Sequence, residues 1–171
     1  MTAIRQTHDM ACWAACLSFW AKVIGGGRPQ IDQGKLIALC GHLVNSATGP
    51  KIGGMPTHGL ATILAPGFTS PNAYTDSDKN MQWKATMRDP FPASNLTVSW
   101  LKNNTRYRSP IMIGYTINGM AHVNVIGYYE MEEDDPYVWV MEPWVGSFFL
   151  RRIEYYQSST RTFIVQQSLL P

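Results

Sequence analysis

The chain has 171 residues, 45% hydrophobic and 15% charged, the balance of an ordinary globular protein, and its length predicts one domain spanning 1–171. A net charge of +2 provides no electrostatic case for nucleic acid or for an acidic partner. No uninterrupted apolar run approaches the ~20 residues that cross a bilayer, which predicts a soluble protein.

In chain order, the first residues carry His8 and Asp9 where a signal peptide would place its apolar stretch, so no export signal is expected. Apolar residues at 12, 16, 19, 20, 23 and 24 follow helical spacing and predict a helix from Cys12. Asp9 is its expected N-cap, and Gly25-Gly26-Gly27 its stop. A second helix is predicted from an Asp32 cap to about Leu43, and a third from Thr57 through Leu60 to Leu64. Residues 65–95 are rich in Pro, Gly, Ser, Asn and Asp and are read mainly as loop. Thr97 is expected to cap a short helix through Trp100 and Leu101. From Pro110 the pattern changes to strand-length runs rich in β-branched and aromatic residues: IMIGYTI, HVNVIGYY, YVWVME, FFLRRIEYY and RTFIVQQ. Helices followed by strands predict an α+β fold, helices packed on an antiparallel sheet.

Three cysteines, Cys12, Cys16 and Cys40, do not form the dense, even-numbered framework of a secreted domain. A free thiol and a reducing compartment are expected. A nucleophilic cysteine needs its thiolate stabilised, a base beside it, and donors for the oxyanion it creates. Cys12, at a helix N-terminus whose dipole favours negative charge, meets the first condition. Gln6, in the loop before the helix, is the candidate oxyanion donor. The base is normally a histidine.

The stretch Q-T-H-D-M-A-C-W-A-A resembles the papain-like cysteine peptidases, whose signature is a glutamine six residues before a Cys-Trp pair opening the central helix. Ala14-Ala15 resembles the bacterial branch of C39-like and AvrRpt2-like peptidases. The resemblance extends to Gly119-Met120-Ala121-His122-Val123, since the family histidine lies on a strand in a Gly-x-His or Gly-x-x-His context; His8, His42 and His58 precede no such strand. The family's third member is Asn or Asp on the next strand, often with Trp two residues on, where this chain has Glu142-Pro143-Trp144.

Glutamate is one methylene longer than aspartate, so the family geometry does not transfer unchanged. The midpoint of 122 and 142 falls at 132, inside the polar run Met131–Asp135, so a hairpin folded there sets Glu142 opposite His122. Asn124, two residues along the same strand face, is the rival orienter. Trp13 and Trp144 are expected to wall the site, with Trp20, Trp100 and Trp139 in the core. Arg151, Arg152, Arg106 and Arg108 are read as solvated edges.

The resemblance implies a helical lobe carrying Cys12, a sheet lobe carrying His122 and Glu142, and cleavage of a protein substrate without metal or organic cofactor. With Cys12 so near the start, no room for an inhibitory propeptide is expected. A delivered bacterial toxin or effector domain, restrained by a cognate inhibitor or immunity protein and acting in a reducing cytoplasm, would explain this. Deamidase or acyl-transferase chemistry on the same Cys-His machinery, and an inactive papain-like binding module, are the alternatives. Cys12, Cys16, Cys40 and His42 have the wrong spacing for a zinc knuckle. The acidic run at 130–135 lacks a calcium-loop pattern, and the glycine runs at 25–27 and 53–54 lack a phosphate-loop ending.

Overall fold

The computed structural model describes residues 2–24, 31–44, 55–66, 68, 70–73, 85–105, 110–127 and 137–167. Helix α1 (Cys12–Ile24) opens where expected. Its capping position, however, is Ala11 rather than Asp9: the Ala11 carbonyl accepts the first helical bond, from Ala15 N–H at 3.1 Å. Helix α2 (Gln33–Cys40) is capped by Asp32, whose carboxylate accepts the Lys35 N–H at 2.8 Å, and runs on as a 3₁₀ turn over Gly41–Leu43. Helix α3 (Thr57–Leu64) follows. The expected glycine stop at 25–27, the glycines at 53–54 and the acidic loop at 130–135 lie outside the described residues.

The stretch read as loop contains a strand, β1 (Ala85–Arg88). Its short run, Ala-Thr-Met-Arg, has little strand signal of its own; pairing with the last strand holds it. Helix α4 (Val98–Asn104) is capped by Thr97, whose hydroxyl accepts the Trp100 N–H. Strands β2 (Ile111–Ile117) and β3 (Met120–Ile126) form a hairpin. Asn118 and Gly119 take positive φ of 53° and 76° at its two-residue turn, the backbone that matches the twist of the flanking strands. Strands β4 (Tyr137–Glu142) and β5 (Ser147–Arg152), a helical turn α5 (Glu154–Gln157) and β6 (Thr162–Gln167) complete the order. The run predicted as one long strand from Phe148 therefore breaks after Arg152.

The sheet is antiparallel throughout, in the order β1-β6-β2-β3-β4-β5. Strand alternation divides its side chains between two cores. Met112, Val123, Val125, Met141, Phe163 and Val165 pack with α1, α2 and α3. Ile111, Ile113, Tyr115, Ile126, Val138, Val140 and Ile164 pack on the other face with Leu101 of α4 and Tyr156 of α5. Among the described residues, no helix is long and apolar enough to cross a membrane.

Candidate active site

The phase of the β2–β3 hairpin decides what meets α1. Tyr115 pairs with His122 and Gly114 with Val123. In antiparallel pairing, successive residues turn their backbone groups alternately toward and away from the partner strand. Val123 directs its N–H and C=O away from β2, to the side where β4 pairs only as far as Val125. One turn of α1 fills that open edge. Cys16 Sγ donates to the Val123 carbonyl at 3.1 Å, and the backbone amides of Val123, Trp13 and Cys12 act on the Cys12 sulfur, each favouring its thiolate.

The thiol therefore faces donors from both a helix N-terminus and a strand edge. Burial nevertheless raises the Cys12 thiol above its ordinary value, the three amides only partly offset it, and the Glu142 carboxylate adds to the rise. The expected lowering by the helix terminus is present and outweighed, and the resting group is a neutral thiol. Cys12 is half-buried, whereas Cys16 and Cys40 are fully buried. Burial pushes Cys40 up to about 12, and Cys16 well above its ordinary value.

His122, one residue from Val123, leaves the strand on the opposite face. Its ring stacks on Tyr115, with centroids 5.8 Å apart and planes 30° from parallel. Among the described residues no hydrogen bond joins His122 to Cys12 or to Glu142. The register explains the second absence. Val125 pairs with Met141 and Ile126 with Val140, so by continuation Asn124, not His122, stands opposite Glu142. The placement of Glu142 opposite His122 is thus off by two residues.

Glu142 and Asn124 are instead joined by Arg151, a residue read from sequence as a solvated edge. Its Nη2 donates to Glu142 Oε2 at 3.2 Å, and its Nη1 to Asn124 Oδ1 at 3.2 Å and the Tyr115 hydroxyl at 3.4 Å. Tyr156 donates its hydroxyl to the same Asn124 oxygen at 3.0 Å. The guanidinium also lies 4.4 Å over the Tyr155 ring. Glu142 Oε1 accepts the Trp144 N–H at 3.3 Å. Both rival orienters of His122 thus belong to one partly buried network.

Gln6 is held by structure from three sides. Its N–H donates to the Pro143 carbonyl at 2.8 Å, while Gln33 of α2 donates to the Arg5 carbonyl and accepts the Thr7 N–H. Gly146 makes this approach possible: its φ is +67°, and a Cβ there would lie 2.6 Å from Arg5 Cβ. The Gln6 Nε2 donates within the loop, to His8 O at 2.8 Å and Asp9 O at 3.0 Å.

Trp13 is 2% exposed and belongs to the core, whereas Trp144 is 52% exposed on the β4–β5 turn. Trp139, expected in the core, is 48% exposed: it alternates along β4 with the buried Val138 and Val140 and so points to the other face. Among the described residues, no three His, Cys, Asp or Glu side chains are grouped to hold a metal. The Arg151–Tyr115–Tyr156 cluster escaped sequence reasoning; the alternation of Tyr115, His122, Asn124 and Arg151 onto one face was its available signal.

No family model matches the sequence, and no curated protein matches it. Its fold is similar to that of the peptidase domain of Streptococcus ComA, a bi-functional ABC transporter involved in a quorum sensing pathway. The TM-score is 0.61 at 14% identity, over 98% of each chain. The architecture is accordingly α+β and papain-like, a helical layer on an antiparallel sheet.

Proposed function

We propose that this chain is a thiol-dependent peptide hydrolase. The observation that carries the assignment is the position of Cys12: the first residue of α1, its sulfur facing three backbone N–H groups, one strand residue from His122. A substrate entering here brings the imidazole from its stack to the thiol; hydrogen bonds of this kind are often loose without substrate. His122 takes the Cys12 proton, and the sulfur adds to a peptide carbonyl. The oxyanion is held by the Cys12 N–H and by Gln6, whose amide exchanges a loop carbonyl for it. The imidazolium then protonates the leaving amine, and water hydrolyses the thioester. Arg151 and Glu142 act in this scheme by fixing the floor of the site.

The neutral thiol and the stacked imidazole favour one second possibility, a papain-like module that binds without cleaving. One comparison decides. A bacterial lysate is incubated with wild type or Cys12→Ala, and new chain termini are mapped by mass spectrometry. Defined termini made only by wild type support the hydrolase. Ammonia release without new termini moves the chemistry to deamidation, and neither product leaves the binding module. Growth arrest on expressing wild type but not Cys12→Ala would extend the proposal to a toxin or effector restrained by an inhibitor protein.

A further inference from the structure

The imidazole of His122 is half-buried, yet the ring it rests on is not free to move. Tyr115 is directly opposite His122 in the β2–β3 ladder and is 3% exposed. Tyr156 meets it edge-on with centroids 5.1 Å apart and planes at 86°, and Tyr155 at 5.7 Å and 69°. Its hydroxyl accepts from Arg151, which is itself tied to Asn124 and Glu142. A rigid aromatic plane thus faces a side chain that has no hydrogen bond to the thiol. Glu142, whose carboxylate oxygens accept from Arg151 and the Trp144 N–H, does not hold the ring.

We infer that Tyr115 is the positioning residue of His122. Its ring, boxed by Tyr155 and Tyr156 and anchored by Arg151, sets the imidazole in a resting position off Cys12, from which it must be drawn before the thiol is activated. The inference rests on the hydrolase assignment, because the resting position has a consequence only where His122 serves Cys12. Aromatic pairs contribute modestly, so releasing the ring is worth about two- to tenfold in the population of free imidazole.

The test uses iodoacetamide, which requires no known substrate. Alkylation of Cys12 is timed at pH 7 and pH 10 for wild type, His122→Ala, Tyr115→Leu and Tyr115→Phe. At pH 7 the buried thiol reacts as His122 removes its proton; at pH 10 hydroxide takes over that role. Tyr115→Leu is expected to react about two- to tenfold faster than wild type at pH 7 and equally fast at pH 10, whereas Tyr115→Phe, which keeps the ring, stays near wild type at both. Simple loosening of the fold would raise both rates and overturn the inference, as would an unchanged or lower rate at pH 7. Equal rates for wild type and His122→Ala at pH 7 would remove the hydrolase assignment itself, and the inference with it. Should Tyr115→Leu not fold, the His122 ring-proton NMR signals of wild type, identified by their loss in His122→Ala, decide instead. An upfield displacement relative to the other histidines supports the stack, and its absence overturns it.

Discussion

Replacing Arg151 with methionine tests whether Glu142 belongs to a structural network. The substitution keeps the side-chain stem and removes the donors shared by Asn124, Tyr115 and Glu142. Breaking a fully buried ion pair from one side costs about 3–5 kcal/mol, because the partner charge is stranded. Here the Arg151 and Glu142 side chains retain 21% and 13% exposure, and two of the three acceptors keep another donor, Asn124 from Tyr156 and the Glu142 carboxylate from the Trp144 N–H. Solvent screening and those remaining bonds bring the expectation to ~2–3 kcal/mol. At roughly 2–4 °C per kcal/mol for a chain of this size, the melting temperature falls by about 5–10 °C. Urea unfolding of wild type, Arg151→Met, Glu142→Gln and the double variant measures both the loss and its coupling. Glu142→Gln in the Arg151→Met background should cost at least ~1 kcal/mol less than in wild type. A loss below ~0.5 kcal/mol for Arg151→Met, or strict additivity, would refute the network and return Glu142 to the role of a free carboxylate.

The thiols titrate with distinct consequences. Cys40, pushed up to about 12 from an ordinary value near 9, favours the neutral folded form. Its contribution is complete below pH ~9 and is lost as pH rises toward 12, a share of ~2 kcal/mol at pH 10.5 that Cys40→Ala should remove from an alkaline limb to which the raised Cys12 and Cys16 also contribute. Under native conditions at pH 8, mass spectrometry should find iodoacetamide on Cys12 and not on the buried Cys16 or Cys40; modification of either of those first would contradict the packing of α1 and α2. Gly146→Ala places a methyl against Arg5 in a left-handed backbone, and should cost ~1–2 kcal/mol in denaturant unfolding while lowering peptide turnover through displacement of Gln6. Gly114→Ala drives a methyl into the Phe163 ring, and should lower stability by ~1–3 kcal/mol, with Phe163→Leu in the same chain restoring part of the loss.

Sequence alone determined most of the secondary structure. The apolar spacing of α1, the Asp32 and Thr97 caps and the five β-rich runs are local properties, set by period and by side-chain chemistry within a few residues. The pairing of Cys12 with a helix start was equally readable. Only the tertiary structure decided the strand register. A one-residue slip of β4 would turn Val140 and Met141 to the wrong cores, and alternation forbids it. A two-residue slip leaves every side chain on its own face. Pattern therefore cannot distinguish Glu142 opposite His122 from Glu142 opposite Asn124; the packing of Met141 with Val125 against α1 makes that choice. The same limit hid β1, whose four residues become a strand only when β6 supplies their hydrogen bonds. It also hid Arg151, whose charge suggests solvent until Asn124, Glu142 and three tyrosines converge on it from separate parts of the chain. Periodicity assigns each side chain to a face, but meetings across the sheet depend on register and packing, which are properties of the whole fold.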